Sequence, residues 1–84
     1  MVIKNVQEKG CVLEVGDIIS GTLGITVLKA VMVDTDLQVV LAFSPTKKEF
    51  IVWMYSVGRG LFSGFYSPDL KEALDHFDFL RKKS

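Results

Sequence analysis

The sequence predicts an α+β fold: a single curled antiparallel sheet of about five or six strands in meander order, with one C-terminal amphipathic helix packed on one face. Three observations carry this reading. Short β-branched and aromatic runs succeed one another between positions 2 and 66. Turn-forming residues separate them at hairpin intervals. Beyond Ser67 the apolar spacing changes from alternation to the helical period.

The strand runs read in order. A run over 2–6 ends at Gln7-Glu8-Lys9-Gly10, and a second covers 11–15. Gly16-Asp17 and Gly21-Thr22-Leu23-Gly24 bracket a brief Ile18-Ile19 segment. The run over 25–33 is rich in β-branched residues and has ordinary strand length. Asp34-Thr35-Asp36 turns into 38–43, Ser44-Pro45-Thr46 breaks that run, and 47–56 is the longest and most aromatic candidate. Gly58-Arg59-Gly60 supplies a tight hairpin, since glycine tolerates the positive φ such turns need, and 61–66 returns.

The helix is predicted over 68–82. Ser67 caps it, Pro68 takes the first helical position and Asp69 complements the positive end of the helix dipole. Leu70, Ala73, Leu74, Phe77 and Leu80 fall on one face. Arg81-Lys82-Lys83 suits a helix C-terminus, and Lys71/Asp75 and Asp78/Lys82 add pairs worth a few tenths of a kcal/mol each.

Composition bounds the function. The chain of 84 residues fits one domain, spanning 1–84. Hydrophobic residues make up 49% and charged residues 24%, which excludes disorder by composition. Ten basic residues cancel ten acidic ones, so no overall positive field draws the chain to nucleic acid or anionic membranes. Cys11 is the single cysteine and His76 the single histidine; neither an intramolecular disulfide nor a four-ligand zinc site follows. Met1-Val2-Ile3-Lys4-Asn5 lacks the pattern of a secretory signal. Lys29, Asp34, Lys47 and Glu49 interrupt any run approaching the ~20 apolar residues of a membrane helix. The expectation is a soluble cytoplasmic protein without a membrane partner.

No constellation carries catalysis, and the expectation is a protein that is not an enzyme and holds no cofactor or metal. Cys11 and His76 share no nucleophile signature. Asp34-Thr35-Asp36 starts like a calcium loop but lacks the remaining ligands and the closing Glu. Glu72, Asp75 and Asp78 read as a solvated helix face. The glycine pairs lie between strands and open no helix, so they do not cradle phosphate.

Binding is the reading that remains. In Phe50-Ile51-Val52-Trp53-Met54-Tyr55 both alternating sets are apolar, so both faces of the sheet need cover. One helix shields one face, which leaves the other to the N-terminal strands or to another molecule. Phe79 lies half a turn from the apolar stripe, among Glu72, Asp75 and His76; its burial in an interface would contribute roughly 1.5–3 kcal/mol. Trp53, Tyr55, Phe62, Tyr66 and Phe79, with Arg59 at a hairpin tip, are the candidate binding residues, because interfaces favour Trp, Tyr and Arg anchors. The expected partner is a protein. A homodimer through the same faces is one alternative. Single-stranded nucleic acid held by Lys47, Lys48, Arg59 and the sheet aromatics is the other.

Phe50-Ile51-Val52-Trp53-Met54-Tyr55, Gly60-Leu61-Phe62-Ser63-Gly64-Phe65-Tyr66, Asp69-Leu70-Lys71-Glu72-Ala73-Leu74-Asp75-His76-Phe77 and Arg81 together resemble small uncharacterised proteins encoded by phages and other mobile elements. The resemblance covers under half the chain and brings no catalytic motif. It implies a binding and blocking role toward a host protein, including inhibition of a bacterial defence system.

Overall fold

A computed structural model of the chain describes residues 3–5, 12–57 and 59–83. The elements are β1 (Ile3–Lys4), β2 (Ile18–Ile19), β3 (Thr26–Asp34), β4 (Leu37–Ser44), β5 (Glu49–Ser56), β6 (Gly60–Ser67) and α1 (Leu70–Lys83). The strands form one six-stranded sheet in chain order, and α1 packs across β4, β5 and β6. The α+β class and the meander are as the sequence predicts.

One pair departs from the antiparallel expectation. β1 runs parallel to β2, with Ile3 opposite Ile18 and Lys4 opposite Ile19. A parallel pair needs a crossover rather than a hairpin. Part of that crossover is Leu13, which bonds to Gln38 of β4 before the chain returns to β2. The predicted strand over 11–15 is accordingly not a strand in its described part. Its residues turn instead, with the Asp17 amide donating to the Glu14 carbonyl at 3.1 Å; Cys11 lies outside the described residues.

The helix starts two residues later than predicted because Asp69, not Ser67, is its cap. The Asp69 carboxylate accepts the Lys71 amide at 2.9 Å, the N-cap to N2 bond that satisfies an orphan donor. Ser67 supports it from outside the helix, accepting the Asp69 amide at 3.1 Å and donating to Glu72 at 2.8 Å. Pro68 therefore precedes the cap. Leu70, now the first helical residue, is exposed, while Ala73 and Phe77 are buried. Lys71 pairs with Asp75 at 3.5 Å; Asp78 takes Arg81 at 3.4 Å, where Lys82 was expected.

Two cores lie on the two faces of the sheet. On the helix face Val39, Leu41, Val52, Met54, Ala73 and Phe77 pack together. On the second face Leu13, Ile19, Val27, Val40, Ala42, Ile51, Trp53 and Tyr55 do so. Alternation along β4 and β5 produces this division directly. In β3 a bulge intervenes: Val27 pairs with Ala42 and Lys29 with Leu41, leaving Leu28 unpaired. The extra residue flips the parity of the strand. Val27 thus joins the second-face core while Val31 and Val33 join the helix face. Lys29 lies over the Phe77 ring, 5.1 Å from its centroid.

The N-terminal segment is tied down as well as packed. The Lys4 ammonium lies 2.9 Å from the buried Asp17 carboxylate and 3.5 Å from Glu14, and it donates to the Val12 carbonyl at 2.7 Å. Asp17 also accepts the Glu14 amide at 2.8 Å. The second face is thereby covered by the chain itself.

Candidate functional site

The structure separates the six candidate binding residues. Tyr55 is fully buried and Trp53 is 9% exposed. Of the two covers the sequence leaves open for their face, the chain's own N-terminal segment is the one found: Leu13, Ile19 and the half-buried Ile25 occupy it, and neither ring is presented for docking. Arg59 is exposed in the β5–β6 turn, where its amide donates to the Ser56 carbonyl at 2.9 Å. Gly58 lies outside the described residues. Phe62, Tyr66 and Phe79 are 47%, 53% and 55% exposed.

A second bulge decides which of these sit together. Val52 pairs with Phe65 and Met54 with Phe62, so Ser63 and Gly64 both oppose Trp53. Ser63 adopts a positive φ of 55° there, which a non-glycine residue adopts rarely. Phe62 and Tyr66, four residues apart, would share a face in a regular strand. With the bulge, Phe62 and Phe65 face the helix side while Tyr66, paired with Ile51, faces the other. Phe62 and Phe79 therefore belong to one surface, and Tyr66 with Trp53 to another.

On the helix side an aromatic ridge crosses from β6 to α1. Phe65 stacks on His76 with centroids 4.3 Å apart and planes 19° apart. His76 continues to Phe79 at 6.1 Å and 33°. Phe65 and His76 are half-buried, and Phe79 forms the exposed end. β6 is the outer strand of the sheet and carries no charged residue or proline along Gly60–Ser67. Charges and prolines are common means by which edge strands discourage pairing, and here the bulge is the one device of that kind in the strand. Arg59 and Phe62 border a shallow hollow of about 400 Å³ at the start of β6.

On the opposite face a cleft of about 280 Å³ opens between the Gly21–Gly24 loop and the β5–β6 surface. Leu23, Ile25, Ile51, Trp53 and Tyr66 give it apolar walls, with Lys47 and Glu49 at one end. Trp53 and Tyr66 meet edge to face at 6.5 Å and 87°.

The basic residues named for nucleic acid do not form one patch. Lys47 and Lys48 lie in the turn before β5 and Arg59 in the turn after it, so a strand length, on the order of 25 Å, separates them. Among the described residues no group of three or more His, Cys, Asp or Glu side chains is placed to hold a metal ion, and no helix is long and apolar enough to cross a membrane. Sequence reasoning missed Phe65 and His76 as parts of one ridge and Glu49 as part of a cleft. Nothing in the local pattern marks them, because each meets its neighbours only through the strand–helix crossing or the returning N-terminal segment. No family model, curated protein or solved structure matches the chain.

Proposed function

We propose that the protein is a non-enzymatic binding module that docks on another protein through the Phe65–His76–Phe79 ridge and the adjoining β6 edge. The observation that carries this reading is Phe79, a large ring left 55% exposed on a helix that packs on the sheet through Ala73 and Phe77 on its opposite face. Aromatic residues are favoured interface anchors, and an outer strand free of charge is suited to pairing with an extended segment of a partner. The likeness of the C-terminal half to small mobile-element proteins makes a host protein the first partner class to examine, with inhibition of a defence system as the narrower form of the proposal.

The experiment compares the natural chain with a Phe62→Ser/Phe79→Ser variant of unchanged circular dichroism in affinity purification from a host lysate. A protein retained by the natural chain and lost by the variant is the expected result. Equal retention by both overturns the assignment of the surface. The second reading is self-association, favoured by the same uncharged edge. Sedimentation over a range of concentrations decides it: a strict monomer at the highest concentration removes it.

A further inference from the structure

The cleft on the second face lies across the sheet from the ridge and plays no part in the proposed docking. Its walls are apolar, and its one partly buried charge is Glu49. Glu49 shares its strand face with Ile51 and Trp53, since alternate residues point the same way. Its carboxylate makes no ion pair or hydrogen bond among the described residues. Tyr66 is the cross-strand partner of Ile51, and its exposed ring leans against Trp53. Ile51 lies one alternate position from Glu49, about 7 Å along the strand.

From this arrangement we infer that the cleft binds a small ligand joining an aromatic ring to an ammonium group, the ring against Ile51 and Tyr66 and the ammonium at Glu49. Size limits the ligand first. A volume of about 280 Å³ is below the range of roughly 300–1,000 Å³ for clefts that take drug-sized molecules, so one ring with a short tail fits it. Charge selects it second. Lys47 borders the same cleft but is exposed, and its field is screened by water. Glu49 is half-buried, where the effective dielectric constant falls to about a quarter of the bulk value. The carboxylate therefore dominates inside the cleft. The exposed Tyr66 ring adds to the preference, because the ring quadrupole attracts cations. An anionic ligand would meet the carboxylate and the negative ring face together.

Two sources carry this chemistry: a free arylalkylamine, and the aromatic N-terminal residue of a peptide with its α-ammonium. Trp53 is the only tryptophan of the chain, so its emission reports on the cleft directly. The test titrates the protein with phenethylamine, with phenylalaninamide as the peptide mimic, and with 3-phenylpropionate as the anionic counterpart, following Trp53 emission and the backbone amide shifts of residues 21–25 and 49–53. Saturable binding of an amine is expected, with the carboxylate weaker by about tenfold or more. Tighter binding of phenylalaninamide identifies a peptide N-terminus as the source, and tighter binding of phenethylamine a free amine. Glu49→Gln is expected to weaken the amine about tenfold, and Lys47→Ala to strengthen it. The inference is overturned by the absence of saturation with either amine up to about 20 mM, by preferred binding of 3-phenylpropionate, or by unchanged amine affinity in a folded Glu49→Gln variant.

Discussion

The Gln38 carboxamide pairs with the backbone of Leu13 as a neighbouring strand would, accepting its amide at 3.0 Å and donating to its carbonyl at 2.9 Å. Both groups are buried, and Leu13 caps the core formed by Trp53 and Tyr55. A side chain thus holds the covering segment where no strand pairing does. In Gln38→Leu the volume is nearly kept but the Leu13 amide and carbonyl lose their partner. Each buried orphan group costs about 1–3 kcal/mol. The expected loss is on the order of 2–4 kcal/mol in urea unfolding, with faster hydrogen exchange at the Leu13 amide. A loss below about 0.5 kcal/mol would show that the clamp does not hold the segment.

The neighbouring clamp is electrostatic and gives a pH dependence of definite sign. The Lys4 pKa is raised above its ordinary 10.5, chiefly by the hydrogen bond to Asp17, with the charges of Asp17 and Glu14 adding and burial opposing. A group whose folded pKa lies above its unfolded value stabilises fully below the unfolded value and loses that contribution as pH rises through the folded one. The stability gap between the natural chain and Lys4→Met is therefore expected to stay constant up to a pH of about 10 and to close above it. Urea midpoints measured for both chains across that window check it. A gap that persists unchanged at the alkaline end would mean that packing of the lysine stem, not its charge, carries the effect.

The elements that sequence reading places well are those whose periodicity is uninterrupted. Alternation along β4 and β5 survives in the structure without change, and the helix stripe survives from Ala73 through Leu74 and Phe77 to Leu80, with Leu70 alone left exposed. What it misplaces follows from single-residue events. The bulge at Leu28 sends Val27 and Val31 to opposite cores although alternation puts them on one face, and the Ser63-Gly64 bulge separates Phe62 from Tyr66 in the same way. A bulge adds one residue to one strand and leaves no mark on composition. Which of two covers buries Tyr55 stays open in the sequence for a different reason: Leu13 and Ile19 sit in short, turn-rich segments that announce no face. Gln38 was the available signal, a polar residue heading an otherwise apolar strand, and it reads equally as a solvated strand end.

Gly64 tests the packing of the second bulge. A Cβ at that position would lie 2.9 Å from Tyr66 Cε1, 3.0 Å from the Tyr66 hydroxyl and 3.0 Å from Trp53 Nε1. Trp53 is held in the core, whereas Tyr66 is half in solvent, so the tyrosine moves. Gly64→Ala is expected to cost only about 1 kcal/mol, because a flexible ring yields at little expense. It should still abolish the edge-to-face contact, which a change in Trp53 emission would report. A cost of about 3 kcal/mol or more would show that Trp53 is displaced instead.

Phe77 and Phe79 stand two residues apart on α1 and should respond to truncation in opposite ways. Phe77 is fully enclosed with Val39, Leu41, Val52 and Met54. Phe77→Ala is expected to cost about 3–5 kcal/mol, the transfer loss plus the cavity left behind. Phe79→Ala is expected to change stability by no more than about 0.5 kcal/mol, since surface substitutions away from caps and buried networks rarely do more. Thermal or urea unfolding of the two variants measures both. If Phe79→Ala matches the core substitution in cost, the ring is part of the fold and the ridge loses its anchor. If it is silent, folding gives no reason for a phenylalanine on the polar face of the helix, and about half of the roughly 1.5–3 kcal/mol for full burial of such a ring remains available to a partner, since the ring is 55% exposed.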